Sequence, residues 1–207
     1  MLLRRLAIIA SLFAASAAVG ARPLGCDDDK LPPDQRWNGA TSFETPELGR
    51  FYDLADQMSA AYKSAAPHSA ARIGREYLAA AERFPCNWNY GNAVHNANSI
   101  LGLLALEKGD RASSVQYLRA AGASPGSPQL DTFGPSLLLA RELALAGEFV
   151  AVEAYLASIR KFWKPTDMSP IGLLLPRLAN PDPMATWTSD LKQKRVPNFG
   201  PFNVRSP

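Results

Sequence analysis

The residues best suited to chemistry form a polar row in the stretch NWNYGNAVHNANS. Asn92, Asn96 and Ser99 are spaced i, i+4 and i+7, so they share one face of a helix. His95 lies one step around that helix. Asparagine is unfavourable inside helices because its side chain competes for backbone hydrogen bonds. Such groups can bind the backbone or a carboxylate of a peptide, or they can hold the neighbouring PGSPQL loop, and the sequence leaves both roles open.

An enzyme site, or an enzyme accessory, is the second interpretation of this region. His95 and Glu142 are common acid–base residue types and could share a pocket near the PGSPQL loop. The sequence lacks the GxSxG and HExxH motifs and a phosphate-binding loop. Its two histidines, His68 and His95, have no nearby cluster of Asp, Glu or Cys, so no metal site is predicted. We therefore assign no catalytic residue, predict no cofactor and expect a binding protein rather than an enzyme.

The first residues are predicted to be a secretory signal, which places the protein in the periplasm or outside the cell. MLLRR is a basic start, LAIIASLFAASAAV is an uncharged apolar run, and VGA offers small residues for cleavage after Ala21. The apolar run is shorter than the ~20 residues of a membrane-spanning helix, so no membrane span is expected. LGC at Cys26 resembles the end of a lipobox, but Pro23 and Arg22 do not suit one. A lipoprotein is the less favoured alternative.

The two cysteines, Cys26 and Cys86, both follow the predicted cleavage site. An even number of cysteines in an oxidising compartment predicts a disulfide. The alternative is two unrelated thiols. Closing so long a loop would stabilise the fold by roughly 4 kcal/mol on chain-entropy arithmetic. There is no CxxC motif, so a thiol-redox site is not indicated.

Composition and charge exclude several classes of protein. The chain has 207 residues, of which 47% are apolar and 20% charged, as expected of one globular domain or a short repeat array. Removing the signal takes away Arg4 and Arg5, which lowers the net charge from +3 to +1. No basic stripe is present, so nucleic-acid binding is not expected.

Helical periodicity predicts an all-α fold, because no segment alternates like a strand. Cap residues and prolines mark the helix starts. Trp163 and Trp187 are expected to pack the Pro-rich end of the chain onto the last helix. The predicted elements are a helix from Pro46, a second between Pro67 and Pro85, a third over 90–108, a fourth capped by Asp110, a loop over 122–134, a fifth helix from Pro135, a sixth over 149–163 and a short one capped by Asp182.

An internal repeat emerges when Gly109-Asp110 is aligned with Gly147-Glu148. The strings LG…GD…YL and LA…GE…YL then match. This pattern resembles the tetratricopeptide repeat, in which helical hairpins joined by sharp turns stack on one another. The resemblance implies a short right-handed stack of about three hairpins. Residues 47–85 would supply a degenerate first pair.

A narrower resemblance covers residues 89–163. The strings YGNAVH, PGSPQL, FGP, GE and FW are similar to those of an uncharacterised group of bacterial proteins with tetratricopeptide-like helices. The resemblance implies the same fold and brings no activity with it.

These observations predict the organisation of the chain and its function. The predicted segments are a signal peptide over 1–21, an extended arm over 22–46, a helical repeat domain over 47–164 and a Pro-rich wrap over 165–207 with one short helix. The first helix of each hairpin commonly lines the concave surface of such a stack. We therefore expect an exported protein that presents the polar row to a peptide or protein partner. Self-association through an end of the stack is a third interpretation, and a monomer is favoured.

Overall fold

The structure is a computed structural model that describes Cys26, residues 45–165 and residues 182–203. The predicted signal, its cleavage site, most of the predicted arm and parts of the Pro-rich wrap lie outside the described residues. Every regular element within those ranges is helical, which confirms the all-α prediction. The elements are α1 (Pro46–Lys63), α2 (Pro67–Ala81), α3 (Tyr90–Glu107), α4 (Arg111–Gly122), α5 (Pro128–Phe133), α6 (Leu138–Leu145), α7 (Phe149–Ile159), α8 (Pro183–Lys192) and a 3₁₀ turn (Gly200–Asn203).

The predicted caps start their helices as expected. Thr45 Oγ1 accepts the backbone N–H of Leu48 at 3.1 Å, and Asp110 Oδ1 accepts that of Ser113 at 3.0 Å. At α8, Asp182 Oδ1 accepts the N–H of Ala185 at 3.0 Å. Each oxygen satisfies one of the N–H groups that the first turn of a helix leaves without a partner.

Three predicted boundaries were wrong. The predicted loop 122–134 contains α5, which Ser127 caps by accepting the N–H of Leu130 at 3.0 Å. The next helix begins at Leu138 rather than Pro135, because the preceding chain pairs with the C-terminal segment, where Leu137 N–H donates to the Phe202 carbonyl at 3.0 Å. The helix predicted to reach residue 163 ends at Ile159. The apolar spacing continues past that end because the chain remains packed on the core.

Helices α1 and α2, α3 and α4, and α6 and α7 pack in contact as consecutive hairpins. The three turns that join them share one backbone hydrogen-bond pattern, a six-residue closure typical of helix C-termini. Its bonds are Ala66 N to Ala61 O, Asp110 N to Ala105 O, and Glu148 N to Leu143 O, each 2.9 Å long. The tetratricopeptide-like repeat and the right-handed sense of the stack stay predictions.

The apolar side chains form two cores. The first core lies among α1, α2 and α3 and includes Phe51, Met58, Tyr77 and Ile100. The second core lies among α3, α4, α6, α7 and α8 and includes Leu103, Leu118, Leu143 and Val152. Helix α3 is central, because it contacts α1, α2, α4, α5 and α6, and most of its residues are buried.

The C-terminal segment packs on the second core through aromatic rings. The centroids of Trp163 and Trp187 are 6.3 Å apart, and Phe202 meets Trp163 edge-on at 4.7 Å. Phe199 meets Trp187 edge-on at 5.1 Å, and the Trp187 indole donates to the Asn198 carbonyl at 3.0 Å. The tryptophan pair therefore packs this segment against α7 and α8, as predicted.

Candidate functional site

The predicted polar row lies inside the protein. His95 is 0% exposed, Ser99 2% and Asn92 9%, while Asn96 is half-buried. Asn92, His95 and Ser99 are buried because α3 packs against five other helices. The sequence left two roles open, binding a peptide and holding the PGSPQL loop. The contacts of Asn92 match the second role.

Asn92 holds the segment that leads into α5. Its Oδ1 accepts from the Ser127 hydroxyl. Its Nδ2 donates to Asn89 Oδ1 at 2.8 Å and to Gln129 Oε1 at 3.1 Å. Nearby, the Ser124 hydroxyl donates to the Gly91 carbonyl at 2.8 Å. The PGSPQL loop is therefore fixed to the first turn of α3.

Two further asparagines extend this buried network, and the sequence reasoning did not single them out. Asn89 Nδ2 donates to the Tyr77 hydroxyl at 3.1 Å, and Asn87 Nδ2 donates to the Tyr52 hydroxyl at 3.0 Å. Both follow Cys86, whose disulfide with Cys26 confirms the predicted bond. The high number of asparagines in this stretch was the only signal in the sequence. Their role was not predictable from it, because their bonding partners are tyrosines of α1 and α2.

His95 joins α3 to α7. Its Nδ1 lies 3.1 Å from Asn96 Oδ1, and its Nε2 lies 2.9 Å from the Tyr155 hydroxyl. An amide oxygen only accepts, so Nδ1 carries the proton and Nε2 accepts from Tyr155. Burial lowers the pKa of His95 to about 4, with a smaller opposing effect from the Asn96 bond. The ring is therefore neutral near pH 7.

His95 and Glu142 do not form the pair that the enzyme interpretation requires. Glu142 pairs with Arg141 and acts electrostatically on Tyr62, which also hydrogen-bonds Glu107. His95 and Glu107 are twelve positions apart, so about 18 Å of helix axis separates them. The contacts of Glu142 thus lie toward the other end of α3.

An open cleft of about 430 Å³ lies at that other end, between the α1–α2 turn and the last turns of α3. Its lining combines apolar groups with one acidic and one basic side chain. The lining residues are Tyr62, Lys63, Ala65, Pro67, Leu104 and Glu107. Such a mixture can contact both the apolar and the polar parts of a ligand.

Tyr62 connects the cleft to the third hairpin. Its hydroxyl donates to Glu107 Oε1 at 3.2 Å. Burial raises the pKa of Tyr62 to about 12, assisted by the negative charges of Glu107 and Glu142. Tyr62, Glu107 and Glu142 come from α1, α3 and α6, which are the first helices of the three hairpins. We call these three residues the cleft row.

Neither metal binding nor membrane insertion has support in the described ranges. They contain no group of three or more His, Cys, Asp or Glu side chains arranged to hold a metal ion. None of the helices described there is long and apolar enough to cross a membrane. The disulfide occupies the sulfur of Cys26 that a lipid thioether would need.

Comparisons of the chain with protein-family models, with curated proteins and with solved structures gave no match.

Proposed function

We propose that this chain is an exported helical binding protein and that its peptide or protein partner contacts the cleft row. The observation that carries the proposal is the contact of Tyr62 with Glu107 in the lining of the cleft, with Glu142 near enough to act on Tyr62 electrostatically. The three residues come from the first helices of the three hairpins. In stacked hairpins those helices commonly carry the binding surface. From the sequence we also expected the first helices of the hairpins to carry the binding surface, but we assigned the role to the other end of α3.

The cleft suits an extended segment of a partner chain. Leu104, Pro67 and Ala65 offer apolar contact, and Lys63 and Glu107 offer a donor and an acceptor for polar groups. All of these residues lie on helices or in the tight α1–α2 turn. Because the surface is already ordered, little conformational entropy would be lost on binding.

Export is the second part of the proposal. The Cys26–Cys86 disulfide is compatible with an oxidising compartment, where such bonds persist. The predicted signal over residues 1–21 supplies the route. Asn92 and His95 have a structural role in this account, because their polar atoms bond within the protein.

The test is capture from an envelope extract by immobilised residues 22–207. The informative variant is Glu107→Lys, which reverses an exposed charge in the cleft, and the matched control is Glu82→Lys, an exposed position at the end of α2. All three proteins must first show the same melting temperature. We expect the wild type and the Glu82→Lys protein to retain the same partner.

The Glu107→Lys protein should retain about tenfold less of that partner, since charge reversal at a contact removes an attraction and adds a repulsion. Equal retention by all three proteins would show that the cleft is not the contact surface. If none of them retains a partner, the binding proposal is wrong, and catalysis by the purified protein becomes the next measurement.

A further inference from the structure

Buried polar side chains of α3 bond to the segment before α5 and to α7, and we call Asn92, His95, Ser127 and Tyr155 the polar seam. All four residues are buried. Asn92 and His95 belong to α3, Ser127 precedes α5, and Tyr155 belongs to α7. Buried polar contacts of this kind depend on correct hydrogen bonding, because a buried group without its partner is costly. A chemical change in the polar seam therefore acts on the contacts of α3 with α7 and with the α5 segment.

His95 is the ionisable group of this seam whose ordinary pKa is closest to neutrality. Its ring faces the amide of Asn96 from its own helix and the hydroxyl of Tyr155 from α7. Asp131 of α5 is directed elsewhere, because its Oδ1 accepts the backbone N–H of Ser127 at 3.2 Å. Among the described contacts, no carboxylate or cation reaches the ring. A charge on His95 would thus have no counter-ion.

Protonation would place a hydrogen on Nε2, which at present accepts the Tyr155 hydroxyl. Two donors would then face each other. The hydroxyl could turn to accept, but its own hydrogen would need another acceptor, and the imidazolium would remain fully buried. A buried ion without a partner favours any state in which water reaches it. The nearest such state is one in which α7 has moved away from α3.

We propose that the His95–Tyr155 hydrogen bond is an acid-sensitive contact, which opens when His95 is protonated and lets α7 move away from α3. The first core contains no residue of α7 or α8, so it does not depend on this bond. Opening is therefore local to the second half of the molecule.

The pH range follows from linkage. The pKa of His95 is lowered from 6.5 to about 4 in the folded protein. The open state binds one more proton than the closed state between these values. The neutral His95 ring stabilises the closed state fully above pH 6.5, and this stabilisation is lost as the pH falls toward 4. The open population should rise about tenfold for each pH unit in this range.

The test is hydrogen exchange of backbone amides from pH 7.5 to 5, corrected for the intrinsic exchange rate. We expect the opening constant of α7 and α8 amides to rise about tenfold per pH unit below 6.5, with a smaller rise in α1 and α2. The informative variant is His95→Gln, which does not titrate, and the matched control is His68→Gln, which removes the exposed second histidine.

The His68→Gln protein should behave as the wild type, and the His95→Gln protein should lose the pH dependence. Three results would each overturn the proposal. The opening constants of His95→Gln could keep the pH dependence of the wild type, those of the wild type could be independent of pH, or those of α1 and α2 could rise as much as those of α7 and α8. Should His95→Gln fail to fold, the NMR titration of the wild type decides. We expect His95 to remain neutral to about pH 5. Titration of His95 near the ordinary value of 6.5 in the closed protein would refute the proposed acid sensitivity of the contact.

Discussion

Gly91 of α3 and Gly126 before α5 approach so closely that a β-carbon on Gly91 would lie 1.7 Å from the Gly126 carbonyl oxygen. This contact lets the Ser124 hydroxyl reach the Gly91 carbonyl. Gly91→Ala should lower the free energy of unfolding by about 1–3 kcal/mol or more, since the backbone must shift to relieve the overlap. Urea unfolding measures the change. Gly74→Ala in α2 is the control, because its β-carbon would meet neighbours no closer than 3.4 Å. Comparable losses in the two variants would contradict the close approach.

Ser114 of α4 carries a fully buried hydroxyl that has no hydrogen-bond partner among the described residues. Ser114→Ala should raise the free energy of unfolding by about 1 kcal/mol, because it removes an unsatisfied polar group and improves helix propensity. Thermal and urea unfolding test this. The matched variant is Ser127→Ala, whose hydroxyl caps α5 and donates to Asn92. Ser127→Ala should lower the free energy of unfolding by about 1–2 kcal/mol. A loss of stability in Ser114→Ala would mean that this hydroxyl has a bonding role.

Ala65 lies in the α1–α2 turn with φ of 54°, where the equivalent turns have Gly109 at 79° and Gly147 at 88°. Ala65→Gly should raise the free energy of unfolding by about 0.5–1 kcal/mol, because the left-handed conformation is costly for a residue with a β-carbon. Melting temperature is the measurement. Ala60→Gly, at an exposed helical position of α1, should instead lose up to about 1 kcal/mol. A loss at both positions would show that the turn does not hold residue 65 in the left-handed region.

The Cys26–Cys86 disulfide closes a loop with a sequence separation of 60. Its reduction should cost about 4 kcal/mol by the chain-entropy model, because the unfolded chain regains freedom. Urea unfolding with and without reductant gives the difference. The Cys26→Ser/Cys86→Ser protein should match the reduced wild type and ignore the reductant. Intact mass provides a second check, since two alkyl groups added to the unfolded, unreduced wild type would show that no disulfide forms.

Phe199 is fully buried against Trp187 although it lies near the C-terminal end of the described chain. Phe199→Ala should cost about 3–5 kcal/mol, as expected for a large side chain removed from a core. Val196, three positions earlier, is 37% exposed, and Val196→Ala should change stability by less than about 0.5 kcal/mol. Tryptophan fluorescence in a urea titration reports both. If both substitutions changed stability by the same small amount, the C-terminal segment would not unfold cooperatively with the rest of the protein.

Much of the helical architecture was predictable because its signals are local. Thr45, Asp110 and Asp182 each cap a helix through a contact three residues away, and Gly109 and Gly147 end helices in a conformation that suits glycine. Helix α5 was missed because its six residues are surrounded by proline and glycine. Its cap, Ser127, is also held by Asn92, a contact made in tertiary structure.

The burial of the polar row was not predictable in the way that the fold was. The spacing of Asn92, Asn96 and Ser99 correctly indicated one helix face, but spacing does not reveal whether a face meets water or protein. Five neighbouring helices bury α3, so the polar row is internal. The cleft row, in contrast, has no pattern along the chain, since Tyr62, Glu107 and Glu142 come from three hairpins.

The sequence by itself determined the helical class, most helix starts, the two matching glycine turns and the two cysteines that pair. These features depend on propensity, capping and backbone conformation within a few residues, or on a simple count. Only the tertiary structure decided that His95 bonds Tyr155, that Asn92 holds the α5 segment and that the accessible cleft lies at the far end of α3. The physical reason is that burial and charge environment are sums over groups distant in the chain, and those groups meet only when the hairpins pack.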